Sequence, residues 1–152
     1  MGTKHKGAVE EVRALNALIA LSRAAESVNV RMQESIAAHG LTEGQFGVLE
    51  ALHHLGPMCA ADLAQKNLRT RGNLTLVIAN LEREKMIRRT VQRDRRYRTV
   101  ELTAKGRALI RNIFPGHARL VARTMGALTA SEQEDLRRLC RKLGLAAREE
   151  RV

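Results

Sequence analysis

Ile87-Arg88-Arg89-Thr90-Val91-Gln92-Arg93-Asp94-Arg95-Arg96-Tyr97-Arg98-Thr99-Val100-Glu101-Leu102 carries six arginines on and between two β-prone runs. The ends read as strands and the charged middle as the turn that joins them. So much guanidinium repels itself in isolation. It makes sense when the hairpin tip lies against a polyanion, and Arg suits phosphate forks and narrow grooves better than Lys. The alternative is a sheet edge that uses charge to block aggregation, but such blocking rarely takes this many like charges.

Upstream, residues 70–84 read as an amphipathic helix. Thr70 can cap it, and Leu74, Val77, Ile78 and Leu81 form one apolar stripe. Opposite that stripe lie Arg71, Asn73, Thr75, Leu76, Asn80 and Arg83. A helix with a polar outward face followed by a basic β-hairpin is the outline of a winged helix-turn-helix, and that outline points to double-stranded DNA.

The remaining segments supply a helical frame. Residues 8–38 form a long helix: Val12, Leu15 and Ile19, then Ala25, Val28, Met32 and Ile36, recur at three- and four-residue steps, and His39-Gly40 ends it. Thr42 and Gln45 make a capping box, with Leu41 and Phe46 in the two staple positions. The helix they open buries Phe46, Leu49 and Leu52 and stops at Leu55-Gly56-Pro57. A short helix over residues 60–66 follows, with Leu63 inward. Beyond the hairpin, Thr103 caps a long helix reaching about Met125, with an apolar line of Leu109, Ile110, Ile113, Phe114, His117, Ala118 and Val121. Pro115-Gly116 is predicted to kink or briefly break it. Thr129-Ala130-Ser131-Glu132 is a second capping box, opening a last helix with Leu136, Leu139, Cys140 and Leu143 on one side.

Composition sets limits on function. With 152 residues, 44% of them apolar, there is material for one well-filled domain. Aromatics are 2%, so the core is aliphatic and a single-strand-binding surface of stacked rings is disfavoured. A net charge of +11 implies an anionic partner, nucleic acid or membrane surface. Against a membrane, the charge sits on a hairpin and no helix pairs a Lys-rich face with bulky aromatics. The longest apolar run, residues 17–21, is too short to span a bilayer, and residues 1–7 lack the apolar core of a signal peptide. Two cysteines make no disulfide framework. The expected location is the cytoplasm.

In order and spacing, several stretches resemble the MarR family of winged helix-turn-helix transcriptional regulators. They are Leu41-Thr42-Glu43-Gly44-Gln45-Phe46-Gly47-Val48-Leu49, Asp62-Leu63-Ala64, Leu74-Thr75 through Leu81-Glu82-Arg83, the wing with Asp94-Arg95-Arg96, and Leu102-Thr103-Ala104-Lys105-Gly106. The implied fold is mainly α with a small β-hairpin wing, a single domain over residues 1–152. Its winged helix-turn-helix core is residues 41–106, flanked by dimerisation helices at 8–38 and 107–148. Two positions depart from the family pattern. Lys85 stands where the family usually has Gly in the left-handed turn after the recognition helix, at a cost of about 1 kcal/mol. Cys59 stands where a Ser or Thr usually caps the third helix, and a thiol caps poorly.

The resemblance implies that the helix from Thr70 enters the major groove with its first turn nearest the bases. Arg71 can then fork onto guanine, Asn73 onto adenine, and Thr75 and Leu76 can meet thymine methyls. The alternative for these positions is an ordinary solvated helix face. In the family the Asp of the wing signature pairs with Arg and the Arg two residues later enters the minor groove, which maps to Asp94 and Arg96. Arg93, Arg95, Arg88 and Arg89 are expected on phosphates, positioning without reading sequence. A homodimer would present two such units to a pseudo-palindromic operator.

Members of the family commonly leave DNA when a small phenolic or aromatic anion binds or a cysteine is oxidised. Ile110-Arg111-Asn112-Ile113-Phe114-Pro115-Gly116-His117, with Leu128-Thr129, looks like the branch responding to quinones and hydroquinones. Cys59, at a helix start, is the redox candidate, set against the reading of a small space-filling residue; Cys140 is expected in the core or an interface. His53-His54 with Cys59 raises a metal site, but no metal-ligand spacing appears, and no metal or cofactor is expected. With no phosphate-cradling loop or nucleophile elbow, an enzyme is disfavoured. A sequence-indifferent architectural DNA-binding protein is the rival reading.

Overall fold

The computed structural model describes residues 2–66, 74–91 and 98–149. The elements run α1 (Val9–Ala37), α2 (Glu43–Leu55), β1 (Met58–Cys59), α3 (Ala60–Lys66), α4 (Leu74–Arg83), β2 (Ile87–Val91), β3 (Arg98–Leu102), α5 (Ala104–Met125) and α6 (Ala130–Glu149). The chain divides into two compact units, Met1–His117 and Ala118–Val152, so the division falls within α5.

Local chemistry sets the element ends. Gly40 takes a left-handed φ of 72° just past α1, where a Cβ would be strained. Thr42 then closes the capping box: its Oγ1 accepts from Gln45 N at 3.2 Å, and Gln45 Oε1 accepts from Thr42 N at 2.9 Å. Leu41 and Phe46, the staple pair, are both buried. At α6 the same device recurs, with Thr129 N donating to Glu132 Oε2 at 2.7 Å. That backbone bond, and a second from the Thr129 hydroxyl, hold the Glu132 carboxyl below the usual carboxylate range.

The core lies in the first unit. Val48, Leu49, Leu63, Leu81 and Ile110 are sealed from solvent, and Ile78, Ile87, Val100 and Leu102 close around them. Residues from six elements thus meet in a single aliphatic cluster, consistent with a core built almost without aromatics. The sheet has order β1-β3-β2, all antiparallel. In β2–β3 the register pairs Ile87 with Leu102 and Thr90 with Thr99. Thr99 is a buried polar residue, and its hydroxyl meets that of Thr90 at 2.9 Å, so this polar rung is satisfied.

Three expectations need correction. A third strand, β1, pairs Met58 with Val100 and Cys59 with Thr99; the sheet is more than a hairpin. Second, α5 runs unbroken through Pro115. The bond lost at Pro115 N would have gone to the Arg111 carbonyl, and both residues are exposed, so water can serve that oxygen. Third, Cys140 is exposed rather than core in the protomer.

Two helices carry apolar surface that the protomer leaves open. No residue of α6 is buried; Leu136, Leu139 and Leu143 are all exposed. On α1 only Met32 and Ile36 are buried, while Leu15 and Leu18 are exposed.

Candidate nucleic-acid interface

The scaffold under the interface begins at α3. Its cap is Cys59: Asp62 N donates to Cys59 Sγ at 3.4 Å, and Sγ–H donates to Asp62 Oδ2 at 3.1 Å. The thiol therefore does the work assigned elsewhere to a hydroxyl, and the same residue sits in β1 beside Thr99. Both its donor and acceptor sides are used. Leu63, sealed in the core, fixes α3 by one anchor.

On α4, Ile78 and Leu81 point inward with Leu74 and Val77 partly covered. Thr75 and Leu76 lie on the opposite, exposed face, Leu76 at 51% of its full accessibility. Thr70, Arg71 and Asn73 fall outside the described residues, as do Arg93, Asp94, Arg95 and Arg96 of the hairpin tip.

The turn from α4 into β2 sets the relative placement of helix and hairpin. Lys85 has φ 59°, in the left-handed region. Around it Lys85 N donates to Glu82 O at 2.9 Å and Met86 N to Leu81 O at 2.9 Å, the paired bonds of a Schellman cap made without glycine. The start of α5 then grips this turn. Thr103 Oγ1 donates toward Lys85 O at 2.7 Å, Thr103 N donates to Met86 O at 3.0 Å, and Lys105 Nζ donates to Glu84 O at 2.9 Å. Gly106 permits the approach, because a Cβ there would lie 2.0 Å from the Met86 carbonyl oxygen.

The hairpin root is tied down by ion pairs that sequence reading missed. Arg88 pairs across the strands with Glu101, and Arg89 Nε reaches Glu82 Oε2 on α4 at 3.1 Å. These two arginines, expected on phosphates, are engaged with carboxylates. The Arg89–Glu82 pair links β2 directly to α4. Both pairs are partly exposed and hold geometry more than they add stability.

Among the described residues, no three His, Cys, Asp or Glu side chains come together as metal ligands, and no helix is long and apolar enough to cross a membrane. His53 and His54 face Phe114 instead of Cys59.

A family model described as MarR family matches residues 41–97. The HTH-type transcriptional regulator MhqR of Bacillus subtilis is 35% identical over 138 residues, covering 90% of this chain and 95% of MhqR. Among solved structures, BpsR of Bordetella bronchiseptica, whose DNA binding is regulated by 6-hydroxynicotinic acid, is 29% identical with a TM-score of 0.74, over 84% of this chain and 98% of its own. AbsC, a MarR family transcriptional regulator from Streptomyces coelicolor, shares the fold at a TM-score of 0.82 and 19% identity, over 95% and 99% of the two chains.

Proposed function

Because this chain belongs to the MarR family of DNA-binding transcriptional regulators, we propose that it is a homodimeric, cytoplasmic repressor that reads a pseudo-palindromic operator and is released by a small aromatic effector. The observation that carries this reading is the clamp of Thr103, Lys105 and Gly106 on the α4–β2 turn. It holds α4, with its open outward face, and the root of the β2–β3 hairpin at one turn.

In this reading α4 and the residues before it lie in the major groove. Arg71 and Asn73 read base edges, Thr75 and Leu76 meet thymine methyls, and the backbone at Thr70 faces phosphate. Arg96 enters the minor groove, Asp94 steadies the wing, and Arg93 and Arg95 sit on phosphates. The open stripes of α1 and α6 are covered by the second protomer, as dimerisation helices flanking residues 41–106. Two-fold symmetry then spaces the recognition helices about 34–36 Å apart, one turn of the duplex. For the effector, BpsR offers a precedent in a hydroxylated aromatic acid; phenolic acids and quinones are the compounds to test.

Selection of bound duplexes from random DNA, followed by competition against bulk DNA at physiological salt, separates this from an architectural binder. A preference of about 10³ or more supports operator reading, and a ratio near one supports the architectural alternative. Adding hydroxylated aromatic acids or quinones to the selected complex then tests release. Thiol sensing through Cys59 is served less well by its geometry, since the sulfur already caps α3 on both sides.

A further inference from the structure

The chain has few rings and gathers most of them in one place. It contains two Phe and five His; both phenylalanines and three histidines meet where α2 packs on α5. Phe46 lies 4.6 Å from His117 between ring centroids, and further along the seam His54 meets Phe114 edge-on at 4.6 Å. His53 sits 4.9 Å from His54 and 6.1 Å from Phe114. Each close ring contact across the seam thus pairs a phenyl with an imidazole. The groups acting on His53 are His54 on its own helix and Arg107 and Arg111 on α5. All are cationic or become so; on α2 the nearest acidic residue in sequence is Glu50, one turn back. Burial first, then these three neighbours, lowers the His53 pKa from its ordinary value of 6.5.

We propose that the ring seam of His53, His54 and Phe114 between α2 and α5 is a proton-operated latch that weakens duplex binding as pH falls. The proposal rests on the operator-binding reading above. With neutral imidazoles the seam closes. A proton on His53 sets a cation beside a second imidazole and the two guanidiniums of α5, and only part of that repulsion is offset by the phenyl face. Parting α2 from α5 relieves it. The start of α5 holds the α4–β2 turn through Thr103 and Lys105, so the movement is passed to α4 and the root of the wing. The sign follows from linkage. A histidine whose folded pKa is depressed leaves stability whole above 6.5 and removes it as pH falls from there through the lower folded value.

The direction is diagnostic, because charging histidines without a latch adds positive charge and strengthens binding to a polyanion. The test measures affinity of the full-length protein for a duplex selected from random DNA, by anisotropy at fixed ionic strength, from about pH 7.5 to about pH 5.5. The wild type should lose up to about tenfold per pH unit for each coupled proton. His53→Gln should be flat or rise on acidification, and Arg111→Gln should fall less steeply than wild type. A wild-type affinity that is flat or rises, or variants that fall as steeply, would overturn the latch. A second measurement needs no DNA: between the same two pH values the urea midpoint of the wild type should drop more than those of His53→Gln and Arg111→Gln. Equal drops overturn the proposal. Absence of any duplex binding at the higher pH would defeat the operator reading instead, while the urea comparison still decides the seam.

Discussion

Gly106→Ala is the sharpest test of how helix and wing are held together. In an exposed helix this change gains about 1 kcal/mol from propensity. Here the added Cβ would lie 2.0 Å from the Met86 carbonyl oxygen, a backbone atom that cannot swing aside. To restore contact distance the first turn of α5 must retreat by about 1 Å, an overpacking cost of about 1–3 kcal/mol. The retreat also stretches the bond from Thr103 N, at 3.0 Å, to that same oxygen. That bond contributes about 1 kcal/mol. Subtracting the propensity gain leaves a net loss of about 1–3 kcal/mol. Urea unfolding at fixed protein concentration, with a slope of about 2 kcal/mol per molar, should show the midpoint fall by about 0.5–1.5 M. Duplex affinity should fall as well under conditions where the variant is still folded, since α4 and the wing lose their common support. A midpoint equal to or above wild type would refute the reasoning, because it would mean the close approach constrains nothing.

Four further outcomes follow from other parts of the fold. Lys85→Gly relieves a left-handed φ of 59° and should raise stability by up to about 1 kcal/mol in the same urea assay. Cys59→Ser keeps a cap for Asp62 N and should leave stability within about 1 kcal/mol of wild type, whereas Cys59→Val should cost about 1 kcal/mol. Arg96→Ala should weaken binding to all duplexes and flatten the salt slope by about one unit, while Asn73→Ala should relax preference at one base position by about 1–3 kcal/mol. Leu139→Asp, on the open stripe of α6, should halve the sedimenting mass at micromolar concentration without loss of helix signal.

What the sequence disclosed was what neighbours in the chain decide. Thr42 with Gln45 and Thr129 with Glu132 announce helix starts because both partners lie within one turn, and both boxes are formed. Leu63 and the stripe of Ile78 and Leu81 declare their burial through helical spacing alone. The resemblance to the MarR pattern, which has Gly at this place, marked Lys85 as a left-handed residue. Most of the missed features are pairings between distant positions. The two residues of β1 are too few to show alternation, and only Val100 and Thr99 make them a strand. Arg89 finds Glu82, and Arg88 finds Glu101, across turns that a linear reading treats as gaps. The ring seam of α2 and α5 joins residues 60 to 71 apart in the chain, a separation at which periodicity carries no information. Cys59 was judged by the weakness of sulfur as an acceptor; its engagement on both donor and acceptor sides by Asp62 makes up for that.

The central claim is that α4 and the neighbouring wing engage adjoining grooves of one duplex, twice over in a two-fold pair. Hydroxyl-radical footprinting of the full-length protein on a selected duplex tests it most directly. The account predicts two symmetric blocks of protected sugars with centres about 10 base pairs apart and minor-groove protection at the outer flanks. A single block, or protection spread evenly along the fragment, would contradict it.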